Sequence, residues 1–316
     1  MPFARLVLTA ILGPPILVAV TLCAMAATAA QFGRRSPSLD LLTHLAPLYL
    51  LGGLVALAAA LVFHDRYRLL VAIAGLICVA GAAALMGPEY LRSAGPKLLG
   101  NGPTLKIVQL NIWEGKGGVH RAAAWLANQH PDVVIVEEAN RQVRATLAGL
   151  TGWHVTRGRS SVLIFTRDPP IAALSPTDDE TGPAGLMGVT LRTAAGDVAI
   201  LGVRYPWPND PNARAAAANL IPIVRSFPAE TTILAGDFNS TPWSFTRRRE
   251  DRAFGLIRRT RGLFSWPAGR YLPFPVLPID HVYAGAGWAT VKVERGPNLG
   301  SDHYPVVVTL ARVAGP

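Results

Sequence analysis

Four short strings hold most of the chain's candidates for chemistry: Gln109-Leu110-Asn111, Val136-Glu137-Glu138, Gly236-Asp237-Phe238-Asn239 and Gly300-Ser301-Asp302-His303. Each sets an oxygen donor or an imidazole just beyond a run of apolar residues, where a strand would end. Carboxylate and amide oxygens suit a hard divalent cation such as Mg²⁺. Cleavage of a phosphate ester needs the charge of such a cation together with a placed proton donor. The inventory therefore points to metal-assisted phosphoester hydrolysis.

Within the strings, Asp237 and Asn239 stand two residues apart beyond the apolar run 233–235. Alternate residues point to one side of an extended chain, and the glycine before them permits a sharp turn. This pair can orient a water and hold phosphoryl oxygens. Asp302 and His303 put a carboxylate beside an imidazole on one short segment. Glu138 follows the apolar run 133–136, and a carboxylate at the end of a buried strand needs a partner or a task. Asn111 offers an amide oxygen after Ile107-Val108. Asp280, in Ile279-Asp280-His281, ends another apolar run and can accept the second ring proton of His303. Taken singly, each string also fits a plain turn rich in Asp and Asn. Only as a set do the strings single out this chemistry.

The elements that must carry these residues are short. Strands are expected over 106–110, 132–136, 160–166, 187–193, 197–203, 231–235, 279–283, 291–294 and 306–310, with a turn at Ala195-Gly196-Asp197. Helices are expected over 119–129, with Ala122, Trp125 and Leu126 on one face, and over 212–227 and 247–256. Neither a strict strand–helix repeat nor an all-strand pattern fits. A two-sheet core with helices outside does, an α+β architecture.

The first hundred residues are of another kind. Half of the whole chain is hydrophobic and only 16% is charged, against about a quarter charged in an ordinary soluble domain. Residues 6–30, 41–63 and 69–87 contain no Asp, Glu, Lys or Arg, and each is near the roughly 20 residues that cross a bilayer core. Three transmembrane helices are expected. The first also has the layout of a signal peptide, with Arg5 in front and Ala27-Thr28-Ala29 as a cleavage site, but its apolar stretch is longer than a signal core. Arg5, Arg66 and Arg68 fall on one side of the membrane and Arg34, Arg35, Arg92 and Lys97 on the other, so positive charge does not set the orientation. A start inside the cell leaves the remainder of the chain outside the cytoplasm. Residues 88–103 read as a linker. The expected division is an anchor over 1–90, a linker over 91–103 and a catalytic domain over 104–316. The net charge of +10 splits into +4 before residue 101 (seven basic, three acidic) and +6 after it (23 basic, 17 acidic), which favours an anionic partner without choosing among nucleic acid, phospholipid and phosphorylated lipid. The two cysteines, Cys23 and Cys78, both lie in expected spans, so no disulfide framework is implied beyond residue 100.

In this order and spacing, the strings GDFNSTPW (236–243), PIDHV (278–282) and GSDHYPV (300–306), with QLNIW and PDVVIVEE, resemble the endonuclease/exonuclease/phosphatase superfamily, the DNase I-like group. The resemblance covers about residues 104–312. Three spans ahead of such a domain, and Ser265-Trp266-Pro267, are similar to its membrane-bound bacterial branch, which includes glycopeptide-resistance membrane proteins. The resemblance implies a four-layer α/β/β/α sandwich of two mostly antiparallel sheets. It implies Asn111, Glu138 and Asp302 as ligands of Mg²⁺ or Mn²⁺. Glu138 is the second of a Glu pair where the family usually has Gln-Glu. Asp237 would orient or deprotonate water, Asn239 would support the phosphate, and His303, its tautomer fixed by Asp280, would hydrogen-bond a non-bridging oxygen.

One departure stands out. The family commonly carries a histidine at the end of a middle strand, where this chain has Val203-Arg204-Tyr205-Pro206. Counting from the strand selects Arg204, and counting back from the proline selects Tyr205. Either side chain can donate to a phosphoryl oxygen. Tyr205 is the preferred catalytic candidate and Arg204 a substrate-binding one. The clusters Arg247-Arg248-Arg249 and Arg258-Arg259-x-Arg261 are expected on a solvated helix face or a surface facing anionic lipid. Trp207, Trp243 and Trp266 fit a site rim, a membrane interface or core packing equally well. The expected protein is thus a multi-pass enzyme of the inner membrane with its catalytic domain outside the cytoplasm. Its expected substrate is a phosphate ester, lipid-linked in preference to nucleic acid.

Overall fold

The computed structural model describes residues 2–98, 102–116, 118–149, 152–156, 161–175, 185–194, 196–269 and 271–313. Residues 99–101 of the expected linker, residue 160 of an expected strand and Ala195 of the expected turn lie outside the described residues. The chain divides into two compact units, one of Met1–Arg92 with Thr241–Arg248 and one of Ser93–Ser240 with Arg249–Pro316.

The first unit is helical: α1 (Pro2–Ala30), α2 (Pro37–Leu41), a 3-10 turn (Leu42–Leu45), α3 (Ala46–Ala60) and α4 (Asp65–Leu91). Three stretches, Leu6–Ala30, Pro37–Ala60 and Arg66–Leu91, are long and apolar enough to cross a membrane. Small residues let α3 and α4 approach closely, since a Cβ added at Gly53 would come within 2.8 Å of the Gly75 carbonyl oxygen. The outward faces keep large apolar side chains exposed, Leu51, Leu54, Leu69 and Leu76 among them, as lipid-facing helices do. The second stretch begins earlier than the expected residue 41. Pro37 opens the helix after Ser36, and Asp40, expected outside, is buried because its carboxylate is taken up by hydrogen-bond donors.

The second unit carries two six-stranded sheets. The first has the order β11-β12-β1-β2-β4-β3, with β1 Thr104–Asn111, β2 Val133–Glu137, β3 His154–Thr156, β4 Leu163–Thr166, β11 Trp288–Arg295 and β12 Val306–Arg312. The second has the order β5-β6-β7-β8-β10-β9, with β5 Ala172–Leu174, β6 Gly185–Thr193, β7 Gly196–Arg204, β8 Ile233–Asp237, β9 Ile257–Arg258 and β10 Asp280–Ala284. Only β1–β2 and β7–β8 pair in parallel among the described strands. Period-two alternation sorts the side chains. Ile107, Ile135, Val189, Ile200, Ile233, Val282 and Val308 fill the space between the sheets. Val108, Leu110, Val134 and Val136 face out from the first sheet and pack with Val119, Ala122 and Leu126 of α5 (Val119–Gln129) and Val143 and Leu147 of α6 (Arg141–Ala148). Leu201, Val203 and Leu234 face out from the second and pack with Leu220 and Val224 of α7 (Ala213–Arg225) and Phe254 of α8 (Phe245–Phe254). The result is the four-layer α/β/β/α sandwich. Sequence periodicity had not marked α6, β3, β5 or β9, all of them short.

Candidate active site

Register brings the chemical residues to one rim. In the first sheet Asn111 lies opposite Glu137 at the ends of parallel β1 and β2. In the second, Asp237 at the end of β8 lies opposite Arg204 of β7 and Asp280 of β10. The turn after β8 needs its glycine. Gly236 has φ +157°, and a Cβ there would stand 1.8 Å from the Val203 carbonyl oxygen. Glu138 and Asn239, each just past a strand end, adopt left-handed φ values of 54° and 47°, a strained placement that clusters at functional sites.

Asn111 is the hub. Its Nδ2 donates to Glu138 Oε1 at 3.2 Å and to Asp237 Oδ2 at 3.0 Å, while its Oδ1 accepts from the Trp113 amide at 2.9 Å. Asp237 Oδ1 accepts the Asn239 amide at 2.8 Å, and Asn239 Nδ2 donates to the Tyr205 carbonyl at 2.8 Å. On the far side of Asp237, His303 Nε2 stands 3.9 Å from Asp237 Oδ2, and His303 Nδ1 is 2.9 Å from Asp280 Oδ2. The segment before His303 is tied to β1 by Ser301 Oγ, which donates to the Asn111 carbonyl at 2.7 Å.

Burial and charge set the protonation of this group. Burial drives His303 toward the neutral form, but the carboxylates of Asp280 and Asp237 outweigh it and lift its pKa from 6.5 to about 10. Burial lifts Asp237, against the neighbouring His303 charge, to about 7. Burial acts on Asp280 in the same sense, but the His303 charge and hydrogen bond prevail and hold it low. An ionised Asp280 thus faces a cationic imidazole, and Asp237 is poised near neutrality.

Sequence reasoning gave no role to two further groups. Gln109 Nε2 bridges Glu137 Oε2 at 3.0 Å and Asp280 Oδ1 at 2.8 Å. Glu137 is fully buried, and burial followed by the charges of Asp280 and Asp237 pushes its carboxyl well above the ordinary range. The available signal was a Gln and a Glu inside apolar strands, positions that demand partners.

The middle-strand residues divide. Arg204 reaches Glu138 Oε1 through Nε at 3.0 Å and a terminal nitrogen at 2.8 Å. Tyr205, the preferred candidate, is instead packed in the apolar cluster under α7, with its ring 5.2 Å from that of Phe238. Arg204, expected on the substrate side, thus reaches Glu138 at the rim, whereas the side chain of Tyr205, past the strand end, turns into the core. The basic cluster departs from the expected solvated face as well. Arg247, Arg258 and Arg259 are buried, with Arg258 3.0 Å from Asp251 and Arg259 donating to the Ala94 and Gly285 carbonyls. Trp243 is a core residue, while Trp207 is exposed and packs edge-on to Trp266 at 5.7 Å. Asp302 receives the Trp266 indole N–H at 3.3 Å.

The donor set suits a hard divalent cation. Glu138 and Asp302 bring carboxylate oxygens, whereas Asn111 turns its Nδ2 to Glu138 and Asp237 and its Oδ1 to the Trp113 amide. Asp302 Oδ1 and Asn239 Oδ1 are buried with no hydrogen-bond partner among the described residues. Asp237, Asp280 and His303 also converge, with ligand atoms within 4.8 Å of one another. There, however, Asp280 and His303 already satisfy each other, which fits proton handling better than ligation.

Residues 108–303 match the profile of the endonuclease/exonuclease/phosphatase family. The chain belongs to this family. Among solved structures, a family protein from Bacteroides vulgatus aligns with TM-score 0.55 at 15% identity, covering 66% of this chain and 99% of that one. A second, from Beutenbergia cavernae, aligns with TM-score 0.52 at 19% identity over 67% of this chain and 72% of that one. The D. rerio protein TDP2, complexed with a single-strand DNA product, aligns with TM-score 0.52 at 14% identity over 66% and 98%. At these identities the likeness establishes the fold. No curated protein matches the chain. Enzymes of the endonuclease/exonuclease/phosphatase family hydrolyse phosphoester bonds and typically depend on a divalent metal.

Proposed function

We propose that the chain is a membrane-anchored, divalent-metal-dependent phosphoesterase, a phosphatase or phosphodiesterase, whose substrate is a phosphate carried on a lipid. The carrying observation is Asn111, which joins Glu138 at 3.2 Å to Asp237 at 3.0 Å with the cationic His303 beyond. Glu138 and Asp302 would hold Mg²⁺ or Mn²⁺, joined by Asn111 once its amide turns its oxygen from Trp113 toward the ion, and the ion would neutralise charge on the phosphate oxygens. Asp237, with a pKa lifted by burial to about 7, aligns the water opposite the leaving group and takes its proton. His303 donates from Nε2 to a non-bridging oxygen as charge builds there, and Asp280 fixes its ring through Nδ1. Asn239 steadies the phosphate and the water, and Arg204 adds a guanidinium next to Glu138.

In this reading residues 1–90 anchor the enzyme, 91–103 link and 104–316 catalyse. Three apolar helices confine the site to the neighbourhood of a bilayer, which raises its effective concentration toward lipid headgroups. An uncleaved first span that starts inside the cell puts the domain outside the cytoplasm, at the inner membrane. A DNase-like endonuclease is the second reading, favoured by the +6 charge after residue 100 (23 basic, 17 acidic). The test is purified full-length protein with Mg²⁺. Phosphate release from phosphorylated lipids, intact plasmid DNA and loss of activity on chelation are expected. Plasmid nicking without lipid hydrolysis would establish the nuclease. Inertness toward both, with retained phosphate binding, would mark an inactive phosphate-binding module.

A further inference from the structure

The stretch Pro37–Ala60, apolar enough to cross a membrane, contains one carboxylate and one imidazole, Asp40 and His44. Such groups require a partner or a task. Both meet the segment Thr241–Arg248, which belongs to the same compact unit. Asp40, 5% exposed, accepts from the Ser244 hydroxyl at 2.9 Å and from the amides of Phe245 at 2.8 Å and Thr246 at 2.9 Å. Those two amides open α8, so the helix receives its cap from a residue 205 positions away. The carboxylate also meets the positive end of the helix dipole. His44 Nδ1 lies 2.8 Å from Thr241 Oγ and 3.3 Å from the Thr241 amide nitrogen. An amide nitrogen only donates, so Nδ1 is the accepting nitrogen and the ring proton sits on Nε2. Arg34 and Arg248 lie over the Phe245 ring, 5.3 and 5.7 Å from its centre.

Thr241 follows Asn239 by two residues and Asp237 by four. The turn between them has little slack. Asn239 is left-handed, with its amide on Asp237, and His281 Nε2 is 2.9 Å from the Ser240 carbonyl oxygen. A shift at Thr241 therefore passes through two peptide units to Asn239. We propose that Asp40 and His44 are positioning residues for the phosphoester chemistry. They hold Thr241–Thr246 and, through the chain itself, set Asn239 and Asp237. The activity arm of this inference rests on the phosphoesterase reading; the exchange arm below does not.

The test uses the full chain in detergent micelles, with amide hydrogen exchange over residues 238–248 and Mg²⁺-dependent hydrolysis of bis(4-nitrophenyl) phosphate. In Asp40→Ala, exchange over 238–248 rises roughly tenfold. In the same variant kcat falls about 10- to 100-fold, as a misplaced catalytic group would cause, while KM stays within about threefold. Asp40→Asn keeps an oxygen for one of the two amides and falls between wild type and Asp40→Ala in both readouts. Thr241→Val against Thr241→Ser splits in the same way and carries the test if Asp40→Ala does not fold. The surface variant Asp197→Asn is silent in both. Faster exchange with wild-type kcat would overturn the proposal, leaving Asp40 a structural cap. If the wild type does not hydrolyse the ester, the phosphoesterase reading fails, and exchange alone decides the grip. Acceleration reaching 238–240 upholds it, and acceleration confined to 245–248 overturns it.

Discussion

Replacing Asp280 with Asn is nearly isosteric and removes one buried charge. In the wild type, Asp280 Oδ2 is 2.9 Å from His303 Nδ1 and Oδ1 accepts from Gln109 at 2.8 Å. His303 titrates at about 10 against an ordinary 6.5. That difference of roughly 3.5 units corresponds to about 5 kcal/mol favouring the imidazolium, at about 1.4 kcal/mol per unit. Among the groups that raise His303, Asp280 gives the largest charge effect and the hydrogen bond as well, so most of this favour leaves with it. A raised pKa on a histidine gives stability that is full below pH 6.5, declines as pH rises, and is gone above about 10. Urea unfolding should therefore separate wild type from Asp280→Asn most clearly near pH 6, with the gap closing toward pH 10. The kinetic consequence is sharper. The kcat/KM profile of the wild type holds its alkaline limb near pH 10, whereas the variant loses activity from near pH 6.5 upward. At pH 8 the variant should be slower by about 10²- to 10³-fold, the usual cost of one lost donor to a developing oxyanion. An alkaline limb that superimposes on the wild type, or a rate loss under about tenfold at pH 8, would refute an Asp280-held imidazolium.

Two further outcomes follow from the same geometry. Asp237, lifted by burial to about 7, must lose its proton to act as base, so the rate should climb through about pH 7; Asp237→Asn should remove that acid limb and cost about 10² to 10⁴ in kcat, read by stopped-time phosphate release. Arg204 occupies Glu138 at 2.8 Å with both side chains partly exposed, a pairing worth up to about 1 kcal/mol; Arg204→Ala should lower the Mg²⁺ concentration for half-maximal activity by up to about fivefold while raising KM, as a metal titration would show.

The sheets were legible because strand ends carry their own markers. The runs 107–110, apolar but for Gln109, 133–136 and 233–235 each lead within two residues to a polar side chain, and alternation within them sorts core from helix-facing positions. The register that sets Asn111 opposite Glu137 and Asp237 opposite Asp280 follows from burying those runs, since a slip by one residue would turn every core side chain outward. The short elements β3, β5 and β9 hold two or three residues each, too few for a period to show. Tyr205 lies in an apolar cluster for a related reason. Past the end of a strand the alternation no longer binds, and burying a phenol beside Phe238 and Leu220 outweighed the analogy of its place before a proline.

What stayed hidden were pairings between distant polar residues. Gln109 and Glu137 stood in the candidate strings without a role, yet they join Asp280 in one buried chain of hydrogen bonds running to His303. Asp40 stands just ahead of the expected span 41–63 and His44 within it, yet they close the start of α8. In both cases the sequence shows a cost, a polar group where burial is expected, without showing which partner offsets it. Local pattern sets strands and helices, because periodicity is local. A partner 171 residues away, as for Gln109 and Asp280, is selected only once the sheets have formed. Buried polar residues inside apolar runs are thus the positions at which a family resemblance says least and a chain's own chemistry most. The same reasoning directs mutagenesis to Gln109, Glu137, Asp40 and His44 ahead of the exposed arginines.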